Sequence, residues 1–336
     1  MTALLTLFKW LRWPAVLALL AALASRASVS GSLSLIREAG PMLLLLVPLH
    51  ALPLLLDARA WQLLLDGRIG LSVLWRIAVV REAVGRLLPV AGVAGEVVGI
   101  RLAMRHLPDA SKASASVVVE VLVTIAVQFA LTMLGLTLLL AHAGKVSSLT
   151  SVIGWALVIS LPIGIAAFAL AHKGAPFRRL ESIARSWLGP AAKRGFRIDG
   201  ARVDCEVRAL LRRPRLCLGA FAWQFAGYVL GALEIELAMQ LLGHPISING
   251  AVAVEALVQA VRNAAFVAPA GLGVQEVAIV TLSAAFGIDG ESALSLALIK
   301  RMREVIWAGI GMAVLRIEER ITMATRATNC EFVERE

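Results

Sequence analysis

The sequence predicts an all-α integral membrane protein, a polytopic helical bundle in which two broken re-entrant hairpins form inverted repeats. Three observations predict this class. Of 336 residues, 59% are hydrophobic and 17% charged, with a mean hydropathy of +0.81, whereas soluble domains are roughly 45–50% apolar and about 25% charged. The apolar residues fall in runs near the ~20 residues that span a hydrocarbon layer, without the polar–apolar alternation of a β-barrel. One pattern occurs twice: Pro89 is followed by Gly92, Gly95 and Glu96, and Pro269 by Gly271, Gly273 and Glu276, with the same proline-to-glutamate spacing. Paired broken segments in the two halves of a membrane protein point to a transport site.

The elements follow in order. Leu4–Ala24 is an apolar first span carrying Lys9 and Arg12. Its tail, Ala22-Leu23-Ala24, mimics a signal-peptidase site, but the spans that follow favour an uncleaved helix. Ser25–Gly40 is a polar connection. Pro41–Leu56 is a span bent at Pro48 and Pro53 that ends near Asp57–Arg59. Ile69–Leu88 carries Arg76, Arg81, Glu82 and Arg86, too many charges for a lipid-facing helix. It breaks at Pro89–Gly95 and resumes as Glu96–His106. Ser114–Ala141, with Glu120 and Gln128, and Leu149–Ala171, kinked at Pro162, are clean spans.

Segment His172–Arg215 holds 12 Lys/Arg and 4 Asp/Glu, a net of +8 out of the chain's +10, with an amphipathic helix expected around Arg178–Leu188. Leu216–Leu242 carries Glu234 and Glu236. Ile248–Ala268 carries Glu255 and Arg262, breaks at Pro269–Gly273, and resumes as Val274–Phe286. Glu291–Leu315 is the last span, with Lys300, Arg301, Arg303 and Glu304 partway along it. Residues 1–320 make one domain, with halves at about 1–141 and 149–318, and a polar tail, Thr322–Glu336, is expected to be disordered.

Charge orients these pieces. The basic turns at Arg59–Arg68 and Arg101–Lys112 and the basic loop belong in the cytoplasm by the positive-inside rule, and His142–Ser148 outside. Both termini are then cytoplasmic. The first hairpin enters from the cytoplasm and the second from outside. The concentration of basic residues in one loop argues against nucleic acid as partner; anionic lipid headgroups are a second role open to that loop.

The breaks carry the chemistry. Proline removes a backbone donor, glycine permits close approach, and in hydrocarbon the freed groups need protein or water partners. The helix restarting after each break presents free N–H groups and positive partial charge, which favour an anion such as phosphate. Glu96 and Glu276 sit in those first turns, either as dipole partners or as proton carriers. Glu82 and Arg86 form an i,i+4 pair in the favourable order, and Glu255 and Arg262 share a helix face. These charges either pair among themselves or line a polar pathway. No Walker A, nucleophile-elbow or zinc-protease motif occurs. Three cysteines (Cys205, Cys217 and Cys330) lack metal or disulfide spacing, and no cofactor is expected. The five histidines (His50, His106, His142, His172 and His244) read as interfacial, and Trp10, Trp13, Trp61, Trp75, Trp155 and Trp187 as an aromatic belt.

At Val80–Glu96 (V-R-E-A-V-G-R-L-L-P-V-A-G-V-A-G-E), Ala268–Glu276 (A-P-A-G-L-G-V-Q-E) and Ala297–Glu304 (A-L-I-K-R-M-R-E), the chain resembles the transmembrane domain of lysylphosphatidylglycerol synthases, the flippase-like domain family. In detail it looks most like the hopanoid-biosynthesis-associated branch. The resemblance covers about Leu4 to Glu318. It implies a bacterial inner-membrane protein that moves an amphipathic lipid, a phospholipid or a hopanoid-related molecule, between leaflets. Membrane lipids are then its partners, with lipid- or hopanoid-biosynthesis proteins as further candidates. Full synthases add a soluble aminoacyl-transfer domain, for which this chain leaves no room, so enzymatic activity is not expected. On this reading Arg81, Arg86 and Arg262 attract an anionic headgroup. Glu82, Glu96, Glu255 and Glu276 balance them, and Arg301 and Arg303 complete the charged layer. A membrane-embedded lipid-modifying enzyme and a non-catalytic scaffold remain the alternatives.

Overall fold

A computed structural model describes residues 29–87, 94–143, 148–179, 181–182, 199–264 and 273–333. The predicted span Leu4–Ala24, most of the predicted helix at Arg178–Leu188, and both hairpin tips, with Pro89, Gly92, Pro269 and Gly271, lie outside the described residues. Among those residues the regular secondary structure is helical, joined by turns, with no strand. Three helical runs are long and apolar enough to cross a membrane on those criteria alone: Val29–Leu64, Ala110–His142 and Pro214–Leu241.

The first run is segmented. Helix α1 (Val29–Ala39) leads through a 3-10 segment (Gly40–Leu45) into the one-turn α2 (Leu46–Leu49) and then α3 (Ala51–Leu64). Ser25–Gly40 is therefore largely helical rather than a connection, because α1 packs against the last helix of the chain. The span also passes Asp57, where an end was expected, and continues to Leu64. Gln224 Nε2 donates to Asp57 Oδ1 at 3.2 Å, which satisfies the carboxylate inside the bundle.

Helices α4 (Leu71–Leu87) and α5 (Ala94–Ala103) form the first hairpin. Gly95 lies in the first turn of α5, beyond the break. A Cβ on it would come 2.5 Å from the carbonyl oxygen of Arg81, and one on Gly99 2.6 Å from the Arg81 side chain, so these glycines let α5 lie against α4. Helix α6 (Ala110–Ala143) and the peripheral α7 (Ser148–Lys173) follow. Val158, Ile163 and Ile165 of α7 are exposed, as befits a lipid-facing surface. Helix α8 (Gly200–Leu211), capped by Asp199, packs on α6. Helices α9 (Pro214–Leu241), α10 (Ile248–Ala264), α11 (Val274–Ala284) and α12 (Gly290–Val333) complete the chain. Gly273 at the head of α11 has φ of 78°, a conformation that costs glycine little. The tail expected to be disordered continues α12 as helix to Val333.

The two halves repeat. Helices α1 and α8, α3 and α9, α4 and α10, α5 and α11, and α6 and α12 correspond in order, and the two arms of each hairpin match in length, 17 residues for α4 and α10 and 10 and 11 for α5 and α11. Asp109 Oδ1 accepts from the amide of Ser111 at the start of α6 (3.0 Å), and Asp289 Oδ1 accepts from the amide of Ser292 at the start of α12 (2.9 Å). Helix α4 packs on α12 and α10 packs on α6, each on the long helix of the other half.

Helices α3 and α9 pack against each other and are antiparallel. His50 meets Glu234, Asp57 meets Gln224, and Asp66 meets Arg213, so one chain ascends as the other descends. A two-fold axis that exchanges antiparallel helices lies perpendicular to them. The repeats are therefore inverted, with the axis in the plane of the membrane the helices cross.

Contacts define the ends of the bundle. At one end lie the ion pairs Arg213–Asp66 (2.8 Å), Arg202–Asp109 (3.0 Å) and Arg76–Glu318 (3.1 Å). At the other lie His142 stacked on Phe286, Ser32 donating to the Glu291 carbonyl, and His244 beside Asp289. The first hairpin opens at the basic end. The second opens at the opposite end, where Gly250 approaches Phe286.

The packing of α4 on α12 depends on Gly311: a Cβ there would lie 2.4 Å from the Ala83 Cβ and 2.7 Å from the Val79 carbonyl oxygen. Gly311→Val should lower the thermal unfolding midpoint in detergent by the equivalent of about 1–3 kcal/mol, the usual cost of overpacking. Gly309→Ala, which meets nothing within 4 Å, should not lower it.

Candidate functional site

Two charged layers lie inside the bundle. The first belongs to the first half. Arg81 on α4 donates from Nη1 to both oxygens of Glu120 on α6 at 2.9 Å and from Nη2 to Glu96 on α5 at 2.5 Å. Its guanidinium sits 4.9 Å over the Trp61 ring on α3. Trp61 was expected in an interfacial belt, but it is 0% exposed and donates to Ser116 Oγ at 3.0 Å. The amphipathic ring serves here as a wall for a cation rather than a headgroup anchor. Arg81 is thus held by two carboxylates and an aromatic face. That arrangement locks α4, α5 and α6 together and leaves the guanidinium little capacity for a further anion.

The second half carries the counterpart with the signs reversed. Lys300, as far beyond the Asp289 cap as Glu120 is beyond Asp109, pairs with Glu255 on α10. Glu255 also accepts from Gln259 at 3.0 Å. No Glu255–Arg262 ion pair forms among the described residues; Lys300 takes that carboxylate instead. A buried carboxylate persists in hydrocarbon when further hydrogen bonds satisfy it, as Gln259 does for Glu255.

The central layer joins the halves. Both hairpins approach one carboxylate, Glu304 on α12, which is 5% exposed. It lies midway between Asp289 at one end and Glu318 at the other, about 20 Å along the helix from each. From the end of α4, Arg86 donates to Glu304 Oε1 at 2.8 Å and contacts Glu82 at 3.4 Å. From the end of α10, Arg262 stands 3.9 Å away, beyond hydrogen-bond reach. Arg301 donates to Glu304 Oε2 at 2.8 Å and to Glu276 Oε1 at 2.9 Å through Nε, and Gln275 donates to Glu304 at 3.2 Å. Deeper in, Arg303 pairs with Glu234 on α9. His50, expected at an interface, lies 12% exposed within the bundle between Glu234 (Nδ1, 3.0 Å) and Glu82 (Nε2, 3.2 Å), edge-on to Trp307. Among the described residues this layer holds five carboxylates (Glu82, Glu234, Glu255, Glu276 and Glu304) and, besides His50, five basic side chains (Arg86, Arg262, Lys300, Arg301 and Arg303), whereas the first layer sets Glu96 and Glu120 against Arg81 alone. The cleft beside Glu234, Lys300 and Arg303 has a volume of about 10 Å³, space for roughly one water, so the layer is closed at that point.

The family model for the lysylphosphatidylglycerol synthase transmembrane region matches residues 5–310. The chain belongs to that family. No curated protein and no solved structure matches it. The match to the synthase transmembrane region takes in both hairpins and every charged residue of the two layers.

Within this synthase-type transmembrane region, the residues singled out from sequence divide into two sets. Arg81, Glu96 and Gly95 build the first layer. Glu82, Arg86, Glu255, Arg262, Glu276, Arg301 and Arg303 meet in the central layer, and Gly273 opens the helix that carries Glu276. Glu96 and Glu276 both lie in first helical turns, as expected, and each pairs with an arginine. Sequence reasoning underweighted Glu120, Glu234 and Glu304 and misplaced His50. A single carboxylate within the apolar α6 was the available signal for Glu120; no local pattern marked His50.

Arg81→Gln should strand Glu96 and Glu120 without their cation. The expected loss is about 3–5 kcal/mol of stability, read as a lowered thermal midpoint in detergent. Glu236→Gln, at a side chain bonded on the exposed surface to Gln240, should stay within about 0.5 kcal/mol of the parent.

Proposed function

We propose that this protein moves an amphipathic lipid between the leaflets of a bacterial inner membrane and is not an enzyme. The observation that carries the reading is the convergence of two oppositely directed hairpins on Glu304 at mid-depth, with Arg86, Arg262 and Arg301 around it. A site at mid-depth between inverted repeats is the arrangement that alternating access requires. Arg262 is the side chain most ready for an anionic headgroup: it is 24% exposed, and its ion pair with Glu304 spans 3.9 Å. The headgroup passes through the charged layer while the tails remain in lipid. The exposed apolar surfaces of α6, α7 and α9, including Met133, Ile163 and Leu218, suit that division.

The family's name links it to lysylphosphatidylglycerol synthases, which supports a lipid substrate. We assign the chain to the hopanoid-associated branch, with a phospholipid or hopanoid-related lipid as cargo and lipid-biosynthesis proteins as neighbours. The positive-inside rule supports a cytoplasmic basic end of the bundle, and on this reading both termini are cytoplasmic.

In vesicles containing a fluorescent phosphatidylglycerol, the reconstituted protein should accelerate transfer between leaflets. Arg262→Gln should reduce transfer at least tenfold in protein that still reconstitutes as a folded species; full activity in that variant removes Arg262 from the pathway. In a background with the native cysteines replaced by serine, His244→Cys should react with an impermeant maleimide in intact cells. Gly67→Cys should react only after permeabilisation, and the reverse pattern inverts the orientation.

A further inference from the structure

We propose that His50, held between Glu82 and Glu234, is a proton-binding site whose occupancy is coupled to the anionic headgroup, so that one proton moves with each monoanionic lipid. The inference rests on the lipid-moving reading above and adds its driving force.

Hydrogen-bond bookkeeping comes first. Nδ1 of His50 lies 3.0 Å from Glu234 and Nε2 lies 3.2 Å from Glu82. A neutral imidazole has one N–H and one lone pair. With both glutamates ionised, a neutral ring would therefore turn a lone pair toward a carboxylate oxygen. Both contacts are favourable only when the trio carries one proton more than a neutral histidine and two carboxylates, held on the ring or on one of the glutamates. The other charged groups near the trio fix the remaining oxygens: Arg86 on α4 contacts Glu82, and Arg303 on α12 pairs with Glu234. Trp307 closes one side with its ring edge.

Charge follows. The central layer, with five carboxylates and five bases among the described residues besides His50, gains one positive charge with the extra proton. Surplus charge in hydrocarbon is expensive, and a monoanionic headgroup beside Arg262 removes it. Each ligand thus raises the affinity for the other, and such coupling is reciprocal.

Position completes the argument. Glu82 belongs to the first hairpin and Glu234 to the second half, so His50 is a bridge between the moving parts. Loss of the proton breaks one arm of that bridge, and protonation restores it.

The test uses the full chain reconstituted in phosphatidylglycerol vesicles. Imidazole-¹⁵N spectra, with the His50 resonance assigned from its absence in His50→Gln, should show a single proton step between pH 5 and pH 10. That step should disappear in Glu82→Gln, whose amide satisfies the ring without an extra proton. A resonance that does not change over this range overturns the proposal. With the membrane potential collapsed by valinomycin and potassium, a one-unit pH gradient should hold labelled phosphatidylglycerol at about tenfold asymmetry between leaflets. His50→Gln should relax to an even distribution while still exchanging lipid, and an asymmetry that persists in this variant also overturns the proposal. If the parent protein moves no lipid but the proton step is present, the lipid-moving reading fails and the proton site stands without its cargo. If both are absent, both fail.

Discussion

The structure depends on one constraint: a charge inside hydrocarbon must be matched where it stands. Water is not available to screen it, and an unmatched ion in the bundle costs several kcal/mol even after relaxation. The positions of the helices follow from how this is met. Arg81 needs Glu96 and Glu120, which draws α5 and α6 onto α4, and Gly95 and Gly99 allow the approach. Lys300 needs Glu255, which ties α12 to α10. Apolar contacts fill the space between, but Leu, Val and Ala pack about as well against lipid tails as against one another. The register of the helices is therefore set by the ion pairs and by the close contacts at glycine.

The sequence made the plan of the fold legible because its strongest signals are local. Apolar run length fixes where a helix fits, proline and glycine fix where it breaks, and the spacing of Pro89 to Glu96 and Pro269 to Glu276 exposes the duplication. Charge asymmetry between loops was enough to send the two hairpins in from opposite ends, and the antiparallel pairing of α3 with α9 gives the same inversion from independent contacts. What stayed hidden was the choice of partner. Glu255 and Arg262 share a helix face, yet Glu255 goes to Lys300 on another helix, because an interhelical contact was available that the heptad-like spacing does not encode. His50 and Trp61 carry no mark of depth in their neighbourhoods. Residues at the edge of an apolar run read as interfacial until the partner helix is known to reach past them. The helical course of α12 beyond the last span was missed because polarity lowers hydropathy without lowering helix propensity.

The distribution of partners also separates what is rigid from what is able to move. The Arg81 cluster, the Lys300–Glu255 pair and the Arg301–Glu276 pair each stay within one half. Among the described residues, the ion pairs between halves in the central layer are Arg86 with Glu304 and His50 with Glu234. The second half therefore matches its own buried carboxylates with its own bases, and a relative movement of the halves disturbs two contacts of the central layer, together with the ion pairs at the basic end.

The sign reversal between Glu120 and Lys300 has a consequence for descent. If the halves arose from one ancestral segment, these equivalent positions parted in charge, and each reversal had to be accompanied by its partner on the neighbouring helix, since either change alone leaves an unmatched ion in the bundle. Such paired replacements bind the history of α6 to that of α4 and the history of α12 to that of α10. The two halves have thus become chemically distinct lineages within one chain, and their remaining likeness resides in backbone shape more than in side chains.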